Sequence, residues 1–183
     1  MYNLPFHQVR FERTQKDLFG IKSHLQLRNE IDIPKRHRAG LVKCRIIYDE
    51  TIQNIEFEHY HLKNIQTLKL VDFSDSYTYK YEDRKSLDLA YRKKEECDDV
   101  ILIKEDYVTD SYYGNLAFKK GDTWYTPKHC LLKGTRREQL LRQDRIHIKK
   151  IRASELGTYS HVSLFNAMIP FKQIKLQIKN IIH

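Results

Sequence analysis

Residues 108–137 read VTDSYYGNLAFKKGDTWYTPKHCLLKGTRR, three short elements arranged around one acidic residue. Val108-Thr109-Asp110 closes an apolar strand that begins at Val100 and turns at Glu105-Asp106. Asn115-Leu116-Ala117-Phe118 opens a second strand, and Gly121-Asp122 turns it into Thr123-Trp124-Tyr125. Leu131-Leu132-Lys133-Gly134-Thr135 then leads into a helix over Arg136 to Arg142. A glycine followed by a helix start leaves backbone N–H groups directed at one point, which suits an anion such as a phosphate.

Upstream, Pro5 to Phe19 carries apolar residues at 6, 9, 11 and 18, the pattern of a helix that Gly20 ends. A second helix is expected from Ser23 to Ile31, stopped by Pro34. From Leu41 the period shortens. Leu41 to Tyr48, Ile52 to Tyr60 and Ile65 to Phe73 read as three strands. Ser74-Asp75-Ser76 breaks the pattern, and divides a small N-terminal part (1–73) from a larger C-terminal part (74–183). Asp83 to Lys94 reads as a helix with Asp83 as its N-cap. Beyond the central stretch, Ile146 to Ile151 is a strand and Ala153 to Leu156 a helical turn. Val162 to Phe165 is a buried strand that runs into Asn166-Ala167-Met168. The pattern is α+β, with antiparallel strands and a few helices in two layers.

Composition narrows the function. The chain has 183 residues, 40% hydrophobic and 31% charged, enough for a packed core. Cysteines 44, 97 and 130 follow no finger or CxxC spacing, which argues for reduced thiols and a cytoplasmic protein; Cys97 and Cys130 have no activating neighbour. No apolar run spans a bilayer and Met1-Tyr2-Asn3 begins no signal peptide, so no membrane is expected. The net charge of +9 raises nucleic acid as a partner. The basic residues are dispersed among acidic ones, however, and the densest cluster, Lys35-Arg36-His37-Arg38, reads as a loop, so no nucleic acid is expected. His59 and His61 share a strand face without a third ligand at suitable spacing, so no metal is expected either. Glycine-rich dinucleotide and Walker motifs are absent.

The run V-T-D-(x)4-N-L-x-F, then T-P, then L-L-x-G-T-R-R, resembles the signature of class IV aminotransferases. These are the fold-type IV pyridoxal phosphate enzymes: branched-chain and D-amino-acid aminotransferases and 4-amino-4-deoxychorismate lyase. The likeness extends to Lys80 and Asp83-Arg84 upstream and to Asn166-Ala167-Met168 downstream. It implies a D-amino-acid aminotransferase-like fold of two α/β subdomains with the cofactor cleft between them. The strands that ordinarily precede the H-x-x-R helix are missing here. It also implies pyridoxal 5'-phosphate as cofactor, a homodimer, and a small amino-acid-like substrate. Among family members the chain is most similar to short 4-amino-4-deoxychorismate lyases, which eliminate pyruvate to give 4-aminobenzoate for folate synthesis. A branched-chain or D-amino-acid aminotransferase is the alternative within the family, and an inactive relic or binding protein the alternative outside it.

The resemblance also assigns residues. Lys80-Tyr81-Glu82-Asp83-Arg84 matches K-x-x-[N/D]-R, which makes Lys80 the amine that joins the cofactor aldehyde and later moves the Cα proton. Tyr79 and Tyr81 flank Lys80, and partial desolvation there would favour its neutral form. Asp110 faces the pyridine nitrogen and keeps it protonated. The family usually has glutamate there; aspartate is one methylene shorter, so the ring shifts or a water bridges. The other reading of Asp110 is an aspartate ending a strand in a turn. Arg10, from H-x-x-R at His7 and Arg10, holds the phosphate with Gly134, Thr135 and Arg136, while Asn166-Ala167 close the other side and Asn115 completes the cofactor set. L-K-G-T-R-R replaces the commoner L-P-G-I-T-R, so Arg136 stands where the family has a threonine hydroxyl. Lys43 and Arg45 share a strand face and are candidates for a substrate carboxylate; a structural ion pair is equally open.

Overall fold

Helix α1 (Leu4–Phe19) has proline in its first turn and ends at Gly20, whose φ of 71° lies in the left-handed region and whose N–H reaches back to the Lys16 carbonyl at 3.1 Å. Phe11 faces inward. Buried Gln15 donates from Nε2 to the carbonyls of Asp49 (3.1 Å) and Glu50 (3.0 Å), which ties α1 to the turn between β1 (Val42–Tyr48) and β2 (Ile52–His59). The second helix is shorter than the sequence suggests: α2 spans only Leu27–Glu30. Gln8 of α1 accounts for the difference. Its side chain takes the Leu27 N–H and donates to the Leu25 carbonyl, both at 2.8 Å, so the residues before Leu27 bond to a neighbour rather than to a helical turn. The computed structural model describes residues 1–182, and these elements form one unit, Met1–Leu62.

A second unit begins at Lys63 and holds two sheets. In the first, β3 (Leu68–Asp72) is followed by α3 (Lys85–Arg92) and β4 (Asp99–Lys104), and β3 and β4 pair in parallel. A helical crossover between neighbouring strands brings the chain back to the same edge and makes them parallel, so the expectation of antiparallel strands alone does not hold. This pairing also places β3 in the sheet that follows it, so the unit boundary falls after Leu62 and the 74–76 break lies within the crossover. Glu105 and Asp106 both adopt positive φ (50° and 66°), the backbone of a tight hairpin, and return the chain as β5 (Tyr107–Ser111).

The second sheet starts directly after the turn Tyr112–Gly114. Its strands are β6 (Asn115–Lys120), β7 (Thr123–Pro127), β8 (His147–Lys149), β9 (His161–Phe165) and β10 (Ile174–Gln177), in the order β10-β9-β6-β7-β8. Helix α4 (Thr135–Arg142) lies in the connection between the parallel pair β7 and β8. β10 and β11 (Ile181–Ile182) were not anticipated. β11 joins the outer edge of β3 in the first sheet. The chain therefore changes sheet between Ser111 and Asn115, directly after Asp110.

Candidate active site

Asp110 lies one residue from the end of β5 and Asn115 is the first residue of β6, so the two face each other across the change of sheet. Asn115 Nδ2 donates to Asp110 Oδ1 at 2.7 Å and to the Leu132 carbonyl at 2.8 Å. The Leu132 N–H donates to Asp110 Oδ2 at 2.9 Å. The carboxylate is thus closed on both oxygens and joined to the loop that leads into α4. Burial pushes its pKa up to about 6, against the pull of the Leu132 amide, the Asn115 amide and the nearby Arg137 guanidinium.

Gly134 precedes α4, and no side chain caps the helix there. Its φ of −68° is open to any residue, so glycine is required by space. A Cβ at this position would lie 2.1 Å from Asn115 Oδ1. Asn115 thereby touches Asp110, Leu132 and the Gly134 turn at once. Gly114 is required for the same reason: a Cβ there would lie 2.4 Å from the Phe165 carbonyl oxygen at the end of β9.

Asn166 follows β9. Its Nδ2 donates to the Tyr113 carbonyl (2.8 Å), and its Oδ1 accepts the N–H groups of Met168 (2.7 Å) and Ile169 (2.8 Å). Arg136 reaches across from α4, with Nε 3.4 Å from the Asn166 carbonyl oxygen and Nη2 3.3 Å from that of Ala167. Asp110, Asn115 and the Gly134 turn are thus in direct contact, and Arg136 joins the start of α4 to Asn166 and Ala167.

Lys80 lies between β3 and α3 and is exposed, so the desolvation expected from its tyrosine neighbours is not present. Its segment is nonetheless tied to the same place. Tyr77 is buried in an apolar cluster with Leu87, Ala90, Val100 and Leu102, against which Tyr112, Leu131 and Leu132 also pack. One cluster therefore carries the segment before Lys80, the residue two past Asp110 and the pair two before Gly134. The remaining assigned residues lie in the first unit. Arg10 is on α1 with Nη2 3.3 Å from His7 Nδ1. Lys43 pairs with Glu58 at 2.6 Å and Arg45 with Glu56 at 3.6 Å across the β1–β2 ladder.

Arg137 was missed. It is 3% exposed and donates to Thr126 Oγ1 (3.2 Å) and to the Pro127 carbonyl (3.0 Å), fastening the first turn of α4 to the end of β7. The adjacent arginines Arg136 and Arg137 look alike in sequence, and only the packing sends one toward Asn166 and the other inward.

The profile for amino-transferase class IV matches residues 78–176, a span that contains Lys80, Asp110, Asn115, the Gly134 turn and Asn166. The chain belongs to this family. An uncharacterized protein of Haemophilus influenzae is 34% identical over 170 residues, covering 91% of this chain and 90% of its own. Among solved structures, a protein of Haemophilus somnus 129pt, provisionally assigned as a 4-amino-4-deoxychorismate lyase, is 33% identical and superposes with a TM-score of 0.84 over 92% of this chain and 90% of that one. The pyridoxal phosphate-bound form of a hypothetical aminotransferase from Mycobacterium tuberculosis shares the fold at 13% identity, with a TM-score of 0.77 over 92% of this chain and 73% of that one. The expected D-amino-acid aminotransferase-like, fold-type IV architecture is thus the one observed.

Proposed function

We propose that this protein uses pyridoxal 5'-phosphate to eliminate pyruvate from 4-amino-4-deoxychorismate, leaving 4-aminobenzoate. The observation that carries the reading is Asp110, a buried carboxylate bonded to both Asn115 and the Leu132 amide, two residues before the Gly134 turn. The lyase rather than the transfer reaction is favoured by the Haemophilus somnus relative.

The residues fit the cofactor. The start of α4 at Gly134, Thr135 and Arg136 suits a phosphate dianion, and Asn166-Ala167 lie at the far side of Arg136. Pyridoxal phosphate supplies an electron sink for the pair left on the substrate when its Cα proton departs. Lys80 would hold the cofactor through its Nζ, and the same amine, once released, would take the Cα proton of the substrate. Asp110, in its ionised form, would be the group that holds a proton on the ring nitrogen. We take the working form to be a cytoplasmic homodimer.

Purified protein incubated with 4-amino-4-deoxychorismate and pyridoxal phosphate should release pyruvate and 4-aminobenzoate in equal amounts. Lys80→Ala should abolish release and the visible absorbance of the bound cofactor. No pyruvate from the unaltered protein would end the lyase reading. The family's own chemistry supports a second one, amino transfer from a branched-chain or D-amino acid to a 2-oxo acid, and the same preparation tests it.

A further inference from the structure

We propose that Tyr112 is a positioning residue that locks the Lys80 segment to the strand carrying Asp110; the catalytic meaning of this lock rests on the pyridoxal phosphate reading above. Arg84 immediately precedes helix α3, and Asp88 and Tyr91 follow it on the helix at i+4 and i+7. All three reach Tyr112. Arg84 Nη2 donates to the Tyr112 carbonyl at 2.8 Å, and the guanidinium carbon lies 4.4 Å from the centre of the Tyr112 ring. The Tyr112 hydroxyl donates to Asp88 Oδ1 at 2.8 Å. The ring stacks on Tyr91 with centroids 4.3 Å apart and planes 26° from parallel.

The grip therefore uses the backbone, the ring face and the hydroxyl of one residue. Its position explains why. Tyr112 follows Asp110 by two residues, and Arg84 follows Lys80 by four. The Lys80 segment is secured at its other end by Tyr77, whose hydroxyl donates to the Tyr81 carbonyl at 3.1 Å and whose ring is buried in the cluster that Tyr112 packs against. Lys80 lies in the loop between β3 and α3, and a reacting group there needs its position constrained. The lock supplies that constraint from the strand whose acid it must match, and misplacement of a reacting group by about 1 Å costs roughly 10²-fold in rate.

The test uses the full chain and three variants: Tyr112→Phe, which keeps the ring and removes the Asp88 bond; Tyr112→Leu, which removes both; and Arg84→Lys, which loses the planar fork. In the cofactor-free protein, amide exchange over residues 78–84 should rise about tenfold in Tyr112→Leu and Arg84→Lys, and less in Tyr112→Phe, with β6 and β9 unchanged. Titration with pyridoxal phosphate should then show about tenfold weaker uptake in the same order. The pH at which the bound chromophore changes colour should also shift. Exchange over 78–84 that is unchanged in all three variants, or that rises equally throughout the unit, would overturn the inference. If Tyr112→Leu fails to fold, Tyr112→Phe decides it. Should the unaltered protein take up no pyridoxal phosphate, the functional reading fails, while the exchange data still decide whether the lock exists.

Discussion

Asp98 and Asp99 are neighbours in sequence with opposite fates. Asp98 accepts the N–H groups of Gln66 (2.8 Å) and Thr67 (3.0 Å), which holds its carboxyl below the usual range. Asp99 begins β4, points the other way and is fully buried. Its Oδ1 accepts the Val100 N–H at 2.8 Å, while Oδ2 has no hydrogen-bond partner among the described residues. Burial pushes its pKa up to about 7, against the Val100 amide, the Ser111 hydroxyl and the amides of Tyr112 and Tyr113. With Asp110 at about 6, the folded protein holds protons that the unfolded chain has released at the same pH. Stability should therefore fall as pH rises from about 4 to about 7, and the cost is fully present above that window. Thermal melts at steps between pH 4 and pH 8 would measure the slope, and Asp99→Asn should remove the larger part of it. A different outcome is expected at Asp110. On the proposed lyase reading, Asp110→Asn should cut pyruvate release by about 10²-fold, because a neutral amide would not hold a proton on the ring nitrogen. Asp110 was singled out by its motif; the burial of Asp99 was not legible, since nothing in an Asp-Asp pair says which member faces inward.

Among the elements, turns and helix ends show most plainly what tertiary contacts decide. Gly114 and Gly134 both sit where a methyl group has no room, but their neighbours differ in compliance. Gly134→Ala pushes on an asparagine side chain, and Gly114→Ala on a backbone carbonyl held in the β6–β9 ladder. Gly114→Ala should therefore cost more stability, with both in the range of about 1–3 kcal/mol, as read by denaturant midpoints. Gly134→Ala should also loosen the bond between Asn115 and Asp110 and weaken cofactor uptake. The helix-leading role of Gly134 was visible in the sequence, but the reason for it was not, because Asn115 is 19 positions away. The expected helix over residues 23–31 shortened for a related cause, the competing bonds offered by Gln8.

For the molecule as a whole, the two units differ in how much they bury. In the first, no residue of β1 or β2 is fully buried, and a two-stranded ladder is marginal by itself. In the second, β4 is buried from Asp99 to Ile103 and β6 from Asn115 to Phe118. Amide exchange should accordingly be fastest in β1 and β2 and slowest in β4, β6 and β9; equal protection in both units would contradict this. Local patterning by itself determined β1 to β9, the starts of α1, α3 and α4 to within two residues, and the order of motifs. It did so because side-chain period, turn chemistry and capping act over a few residues. Strand direction, the inward turn of Arg137 and the grip of α3 on Tyr112 were decided by the tertiary structure alone. Each depends on groups far apart in the chain, whose meeting is set by which apolar faces bury one another.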